Sequence, residues 1–294
     1  MSAAADPVDD PITHGQATTS ALLAPSLALA SCVRSYVTRS TVGAVLRPDQ
    51  RYNHFPASPL CGIFWLIEGE SVIVGRGAEV VHEPVPRLSV AGPHTVPMVS
   101  VNPGPVRAFM LGLLPQAFQA MTGLDLSTLV NRAGVDGTTR AWQPWPGGRR
   151  PRRGPAPPRP RPSWSRAGVG CAIRPYRARS AIATGPRLAL KAGTSGVGKS
   201  LRQAERRVKQ WAGLPMRELR RLGRAEESFF RVRDGDPSGS PGGRPDWAAV
   251  AVDSGYSDQA HLCREVRRIA GMSPADLKRA IDQDESFWTY RIWS

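Results

Sequence analysis

Residues 137–204 of this 294-residue chain contain no aspartate or glutamate at all, although 15 lysines and arginines fall among them. Outside that stretch 24 basic residues face 24 acidic ones, so the whole net charge of +15 sits in one segment. The basic balance therefore says little about the partners of the folded parts. Other absences exclude whole classes of protein. No run of about 18 apolar residues exists, which excludes a membrane-spanning helix. The first ten residues carry Asp6, Asp9 and Asp10 and no basic residue, unlike a secretory signal. Cys32, Cys61, Cys171 and Cys263 show no CxxC spacing, so neither a zinc ribbon nor a disulfide framework is indicated. No Ser/His/Asp or paired-carboxylate constellation can be picked out, and the expectation is a cytoplasmic non-enzyme without a cofactor.

What is present is enough apolar material for two domains, with 41% hydrophobic residues, and an excess of breakers, with 29 Gly and 28 Pro. Residues 33–46 are rich in Val, Thr and Tyr. A buried-strand candidate follows at 61–67, then a turn at Glu68-Gly69-Glu70 and a strand at 71–74. Further short runs lie at 78–81, 94–101 and 106–111. Short strands with frequent turns predict a sandwich or barrel, here one of cupin-like type. Ala117, Phe118, Met121 and Leu124 fall at helical spacing, so a helix over 115–131 is expected to close this unit. His54, Cys61, His82 and His94 are its candidate metal ligands, but none of them shows HxH or HxxxH spacing. No metal is expected.

Residues 140–186 break every pattern, because proline removes donors and like charges repel. Two readings stay open: a disordered basic linker that meets nucleic acid non-specifically, or out-of-frame translation of a GC-rich gene. The abrupt return of order at Arg187 favours the second. From there the chain reads helical. Helices are expected over 201–211, 216–232, 246–252, 258–270 and 274–282, with a Gly/Pro/Ser loop at 234–244.

Gly193-Thr-Ser-Gly-Val-Gly-Lys-Ser200 matches the phosphate-loop pattern GxxxxGK[ST], and 248–253 could pass for its metal-binding strand. A nucleotide-binding or hydrolysing protein using Lys199 and Ser200 is therefore the alternative. The context opposes it, since the residues before the loop are not a convincing buried strand and those after it read as helices. The same residues also make a helix start, with Ser200 as N-cap and Gln203 completing a capping box. The next helix then has Leu201, Ala204, Val208 and Trp211 on one face and Arg202, Gln203, Arg206 and Lys209 elsewhere. A second copy of this device follows. Ser257 caps a helix whose first turn Asp258 favours, Leu262, Val266 and Ile269 form the buried stripe, and Gln259, His261, Arg264 and Arg267 face out. Each helix follows a turn containing Gly, which is helix-turn-helix spacing.

The stretches 198–213 (GKSLRQAERRVKQWAG) and 255–274 (GYSDQAHLCREVRRIAGMSP) resemble the two recognition helices of AraC/XylS-type transcriptional regulators. In the second, the aromatic after Gly255, the Ser-Asp-Gln cap, Arg264 and the closing Gly-x-Ser-Pro carry the match. Residues 216–233 resemble the family's connecting helix, and the similarity spans about 187–282. The resemblance implies an all-α module with two helix-turn-helix units, usually fused to a β-rich sensor or oligomerisation domain. The expected α+β architecture is thus an N-terminal tail (1–30), a β-rich domain (31–136), an Arg/Pro-rich segment (137–186), a DNA-binding domain (187–284) and a C-terminal tail (285–294). The expected partners are double-stranded DNA, a small-molecule effector at the N-terminal domain and a second copy of the chain, with no membrane. Arg202, Gln203, Arg206, Gln259, His261 and Arg264 are the candidate base-reading residues, because Arg and Gln suit guanine and adenine edges. Ser200, Arg207, Ser257 and Arg267 are the candidate cap or phosphate contacts.

Overall fold

The structure is a computed structural model and describes residues 17–137, 201–233 and 245–293. The Arg/Pro-rich segment, the phosphate-loop match with Lys199 and Ser200, and the loop at 234–244 lie outside the described residues.

The first part of the chain folds as two antiparallel sheets. Its strands are β1 (Thr19–Leu23), β2 (Val33–Ser40), β3 (Tyr52–Phe55), β4 (Cys61–Glu68), β5 (Val72–Arg76), β6 (Glu79–Pro84), β7 (Leu88–Ala91), β8 (Met98–Val101), β9 (Arg107–Leu113) and β10 (Val135–Asp136). One sheet has the order β1-β2-β9-β4-β7-β10 and the other β3-β8-β5-β6. Alternation along β4 shows why both faces are covered. Cys61, Ile63 and Trp65 pack with Phe118 and Leu126 on one side, while Phe64 turns to Ile73, Ala91 and Met98 between the sheets. This is the sandwich the strand pattern predicted.

The structure departs from the sequence reading in several places. Residues 19–23, read as part of a tail, pair with β2 in the register Thr19↔Ser40 to Leu23↔Tyr36. Strands β3, β7 and β10 were not expected, and β2 stops at Ser40, well before residue 46. The helix α1 (Pro115–Thr122) ends where Gly123 takes φ +70°, and Asp125 then caps a separate 3-10 turn at Leu126–Thr128. Residues 285–293, also read as a tail, form a 3-10 turn (Glu285–Phe287) and a helix that bury Phe287, Trp288 and Tyr290.

The later part is helical: α2 (Leu201–Ala212), α3 (Met216–Arg233), α4 (Trp247–Asp253), α5 (Gln259–Ala270), α6 (Pro274–Gln283) and α7 (Trp288–Trp293). The residues offered as a metal-binding strand, 248–253, are helix α4. Leu219, Leu222 and Ala225 recur at spacings of three and bury against Val208, Ala212, Leu214 and Ile269. A second cluster joins Val250, Ala251, Tyr256, Leu262, Val266 and Leu277.

The two parts are joined by specific bonds. The Ala57 N–H donates to the Ile269 carbonyl at 2.9 Å. Trp288 Nε1 donates to Asn53 Oδ1 at 2.8 Å, and the Phe287 ring stacks on His54 at 4.2 Å. Buried Arg39 donates to Glu285 at 2.7 Å, with its guanidinium 4.8 Å from the centre of the Trp288 ring. Glu285 also accepts from Thr18 at 2.7 Å.

Candidate nucleic-acid interface

The second helix pair is built from its caps inward. The Asp246 carboxylate accepts from the N–H groups of Ala248 and Ala249 and starts α4. At the turn, Gly255 has φ +74°, a conformation natural to glycine, and Arg224 donates to its carbonyl at 3.1 Å. Tyr256 follows, 4% exposed, and anchors the turn in the helical core. The N-cap of α5 is Asp258, not Ser257: the Asp258 carboxylate accepts from the His261 N–H at 2.6 Å. That bond holds the Asp258 carboxyl below the ordinary carboxylate range. Ser257 supports the cap instead, with its hydroxyl 3.2 Å from Asp258 and 3.1 Å from His261 Nδ1. Either residue type suits a cap, which is why the sequence placed it one position early.

Helix α5 then divides cleanly. Leu262, Val266 and Ile269 are buried, while Gln259, Arg264 and Arg267 are exposed. His261 is half-buried, edge-on to Tyr256 at 5.2 Å. Its ring thus belongs partly to the turn, and Nδ1 is occupied by Ser257. The inner edge of α5 is tied down by charge. Arg221 forks onto buried Glu265, and Arg268 reaches Glu218 at 3.1 Å and Glu265 at 3.4 Å. Burial opposes the charged form of Glu265, but the Arg221 hydrogen bond and the Arg268 charge outweigh it, so its carboxyl titrates below the ordinary range. Arg268 also donates to the Thr95 carbonyl at 3.1 Å, which ties α5 to the β-rich part. These two arginines and Glu218 fix the helix and were not singled out by the sequence. The spacing Arg221/Glu218 and Arg268/Glu265 was the available signal.

On α2, Arg202, Gln203, Arg206 and Lys209 are exposed and Arg207 is half-buried. Val208 and Ala212 are buried against α3, and the chain leaves the helix through Gly213 at φ +71°. There the backbone touches the β-rich part, since a Cβ on Gly213 would lie 2.8 Å from the Leu126 carbonyl oxygen. Both candidate helices therefore present basic and amide side chains on faces opposite their apolar stripes.

The four candidate metal ligands do not come together. His54 stacks on Phe287, Cys61 and His94 are buried, and His82 is exposed. Among the described residues no group of three or more His, Cys, Asp or Glu converges. Nor is any helix among them long and apolar enough to cross a membrane.

No family model matches the chain, and no curated protein does. Among solved structures, the chain is similar to ToxT from Vibrio cholerae, with 8% identity and a TM-score of 0.33 over 77% of this chain and 93% of that one. ToxT bound to (E)-4-(8-methylnaphthalen-1-yl)but-3-enoic acid gives 8% identity and 0.35 over 95% and 100%. Likeness at that level is one of outline, and the chain's own residues decide what it does.

Proposed function

We propose that this protein is a sequence-specific DNA-binding transcriptional regulator of AraC type that places two helix-turn-helix units in the major groove. The observation that carries this is the second unit. The α4–Gly255–α5 pair has both helices capped, a buried stripe behind, and Gln259, Arg264 and Arg267 exposed in front. Such a helix presents Arg and Gln to base edges while its N-terminus favours phosphate. In this reading Gln259, His261 and Arg264 read bases from α5, His261 through the ring nitrogen that Ser257 does not hold. Arg202, Gln203 and Arg206 do so from α2. Arg207, Arg267, Ser257 and Ser200 set the register on phosphate.

The β-rich domain then serves as the sensor or oligomerisation module, in a homodimer and with a small-molecule effector, and the protein works in the cytoplasm without enzymatic activity. The antiparallel sheets and the helical form of 248–253 favour this over a phosphate-loop enzyme, which needs parallel strands around its loop. Selection of duplexes from a randomised pool, followed by footprinting of the winning sequence, tests it. A reproducible site with two protected half-turns is the expected result. Enrichment of no sequence above a polyanion control would overturn the proposal.

A further inference from the structure

The first turn of α5 closes a small ring of hydrogen bonds. The His261 backbone N–H donates to Asp258 Oδ1 at 2.6 Å, the Ser257 hydroxyl donates to Asp258 Oδ2 at 3.2 Å, and Ser257 Oγ lies 3.1 Å from His261 Nδ1. The direction of the last bond follows from counting protons. A serine hydroxyl has one proton, and an ionised carboxylate can only accept. The His261 N–H and the Ser257 hydroxyl hold the Asp258 carboxyl below the ordinary range, so it is ionised. Were the Ser257 proton turned to His261 instead, lone pairs on Oγ and Oδ2 would face each other at 3.2 Å. Ser257 therefore gives its proton to Asp258 and accepts from the imidazole.

A neutral imidazole carries one N–H, and here Nδ1 bears it. Nε2 is then a bare acceptor, with no partner among the described residues. The ring stands edge-on to buried Tyr256, with centroids 5.2 Å apart and planes at 76°, which fixes its direction. The Ser257 backbone N–H, rather than its hydroxyl, is left for phosphate.

In the major groove a lone acceptor has few counterparts. Guanine presents only acceptors there, and thymine an acceptor and a methyl group. Amino donors come from adenine N6 and cytosine N4. We infer that the Asp258–Ser257–His261 relay makes His261 a specificity-determining acceptor that selects an exocyclic amino group, on adenine or cytosine, and rejects guanine or thymine in the same place. The inference rests on the DNA reading for its partner, whereas the position of the imidazole proton belongs to the free chain.

Two measurements at about pH 8, where imidazole is neutral, test it. Long-range proton–nitrogen NMR spectra of the DNA-free full chain, with His261 assigned by its loss in His261→Ala, should show Nδ1 protonated and Nε2 bare. Ser257→Ala should raise the share of the reverse tautomer, and Ser257→Thr should restore the original. On the selected duplex, His261→Ala should relax preference at one base pair. Replacing adenine there by purine, or cytosine by pyrimidin-2-one, removes only the amino group. Either change should weaken wild-type binding about fivefold and leave His261→Ala binding unchanged. A 7-deaza purine at the same pair, which removes an acceptor, should cost nothing. Ser257→Ala should tolerate guanine or thymine in that place, whereas a purely structural serine would weaken all sequences equally.

A ring protonated on Nε2 in the free wild-type chain overturns the inference, whether or not the chain binds DNA. So does a site where His261→Ala relaxes no pair, or where the wild type responds to the 7-deaza purine and not to loss of the amino group. A chain with Nδ1 protonated that selects no sequence overturns the DNA reading and the base assignment with it, but not the relay.

Discussion

The two candidate recognition helices have similar faces but different foundations. Helix α5 stands on its own unit, with a partner helix α4, a cap at Asp258 and a core shared with α6. Helix α2 shares its core with α3, yet Val130 and Ala57 of the β-rich part complete that cluster, and Gly213 presses on Leu126. The α5 unit meets the sandwich only towards the end of its helix, at Arg268 and Ile269, whereas α2 is set against the sandwich through its core and its exit turn. The lesson is that equal sequence signals at two helices do not imply equal independence in three dimensions.

That contrast can be broken most forcefully at its core. Leu262→Ala removes a side chain that is 1% exposed in the α4–α5 unit, and should lower unfolding stability by about 2–5 kcal/mol in a urea titration. Deleting the sandwich should cost α2 more protection than α5 in amide exchange. Equal protection of both helices would end the distinction.

An acid titration probes the sandwich side. Because burial lowers the folded pKa of His94 to about 4, the unfolded chain binds the extra proton between pH 4 and 6.5. Stability is therefore full above pH 6.5 and falls as pH drops towards 4, by up to about 1.4 kcal/mol per unit. His94→Gln should flatten that slope in melts across the range.

The two turns give a matched pair. Gly213→Ala meets both a positive φ and the Leu126 carbonyl, and should cost about 1–3 kcal/mol. Gly255→Ala has the same φ problem but nothing within 4 Å, so about 1 kcal/mol is expected. Similar losses would mean that the Leu126 contact contributes nothing.

On DNA, Arg264→Ala should cost about 1–3 kcal/mol on the selected site and relax preference at one base pair. A uniform loss on all sequences would move Arg264 to the phosphate contacts. Arg202→Ala should have the smaller effect of the two, since α2 rests partly on a separate domain.

The legible parts of the sequence were those where a periodic stripe meets one continuous partner. Ala204, Val208 and Trp211, Leu219 and Leu222, and Leu262, Val266 and Ile269 announced α2, α3 and α5 within two residues of their ends. What escaped lacked such a stripe. Strand β3 is four residues between Pro48 and Pro56, and β10 is two residues long, so neither offers a period to read. Phe287, Trp288 and Tyr290 are buried because Asn53 and His54, over 230 residues away, receive the segment. No local rule encodes that. At the candidate site, the outward residues followed directly from the stripe. The Arg221–Glu265–Arg268–Glu218 cluster did not, because three of its contacts cross between helices.

The bond from Trp288 to Asn53 spans 235 residues of chain. During synthesis at about 5–20 residues per second, Asn53 and its strand wait roughly ten to fifty seconds for Trp288 to be made. The sandwich can pair its strands in that interval, but the face around His54 stays wet and the ring there has nothing to stack on. A nascent chain is thus open along that seam for most of its time on the ribosome, and a chaperone that binds exposed aromatic surface has its best opportunity there.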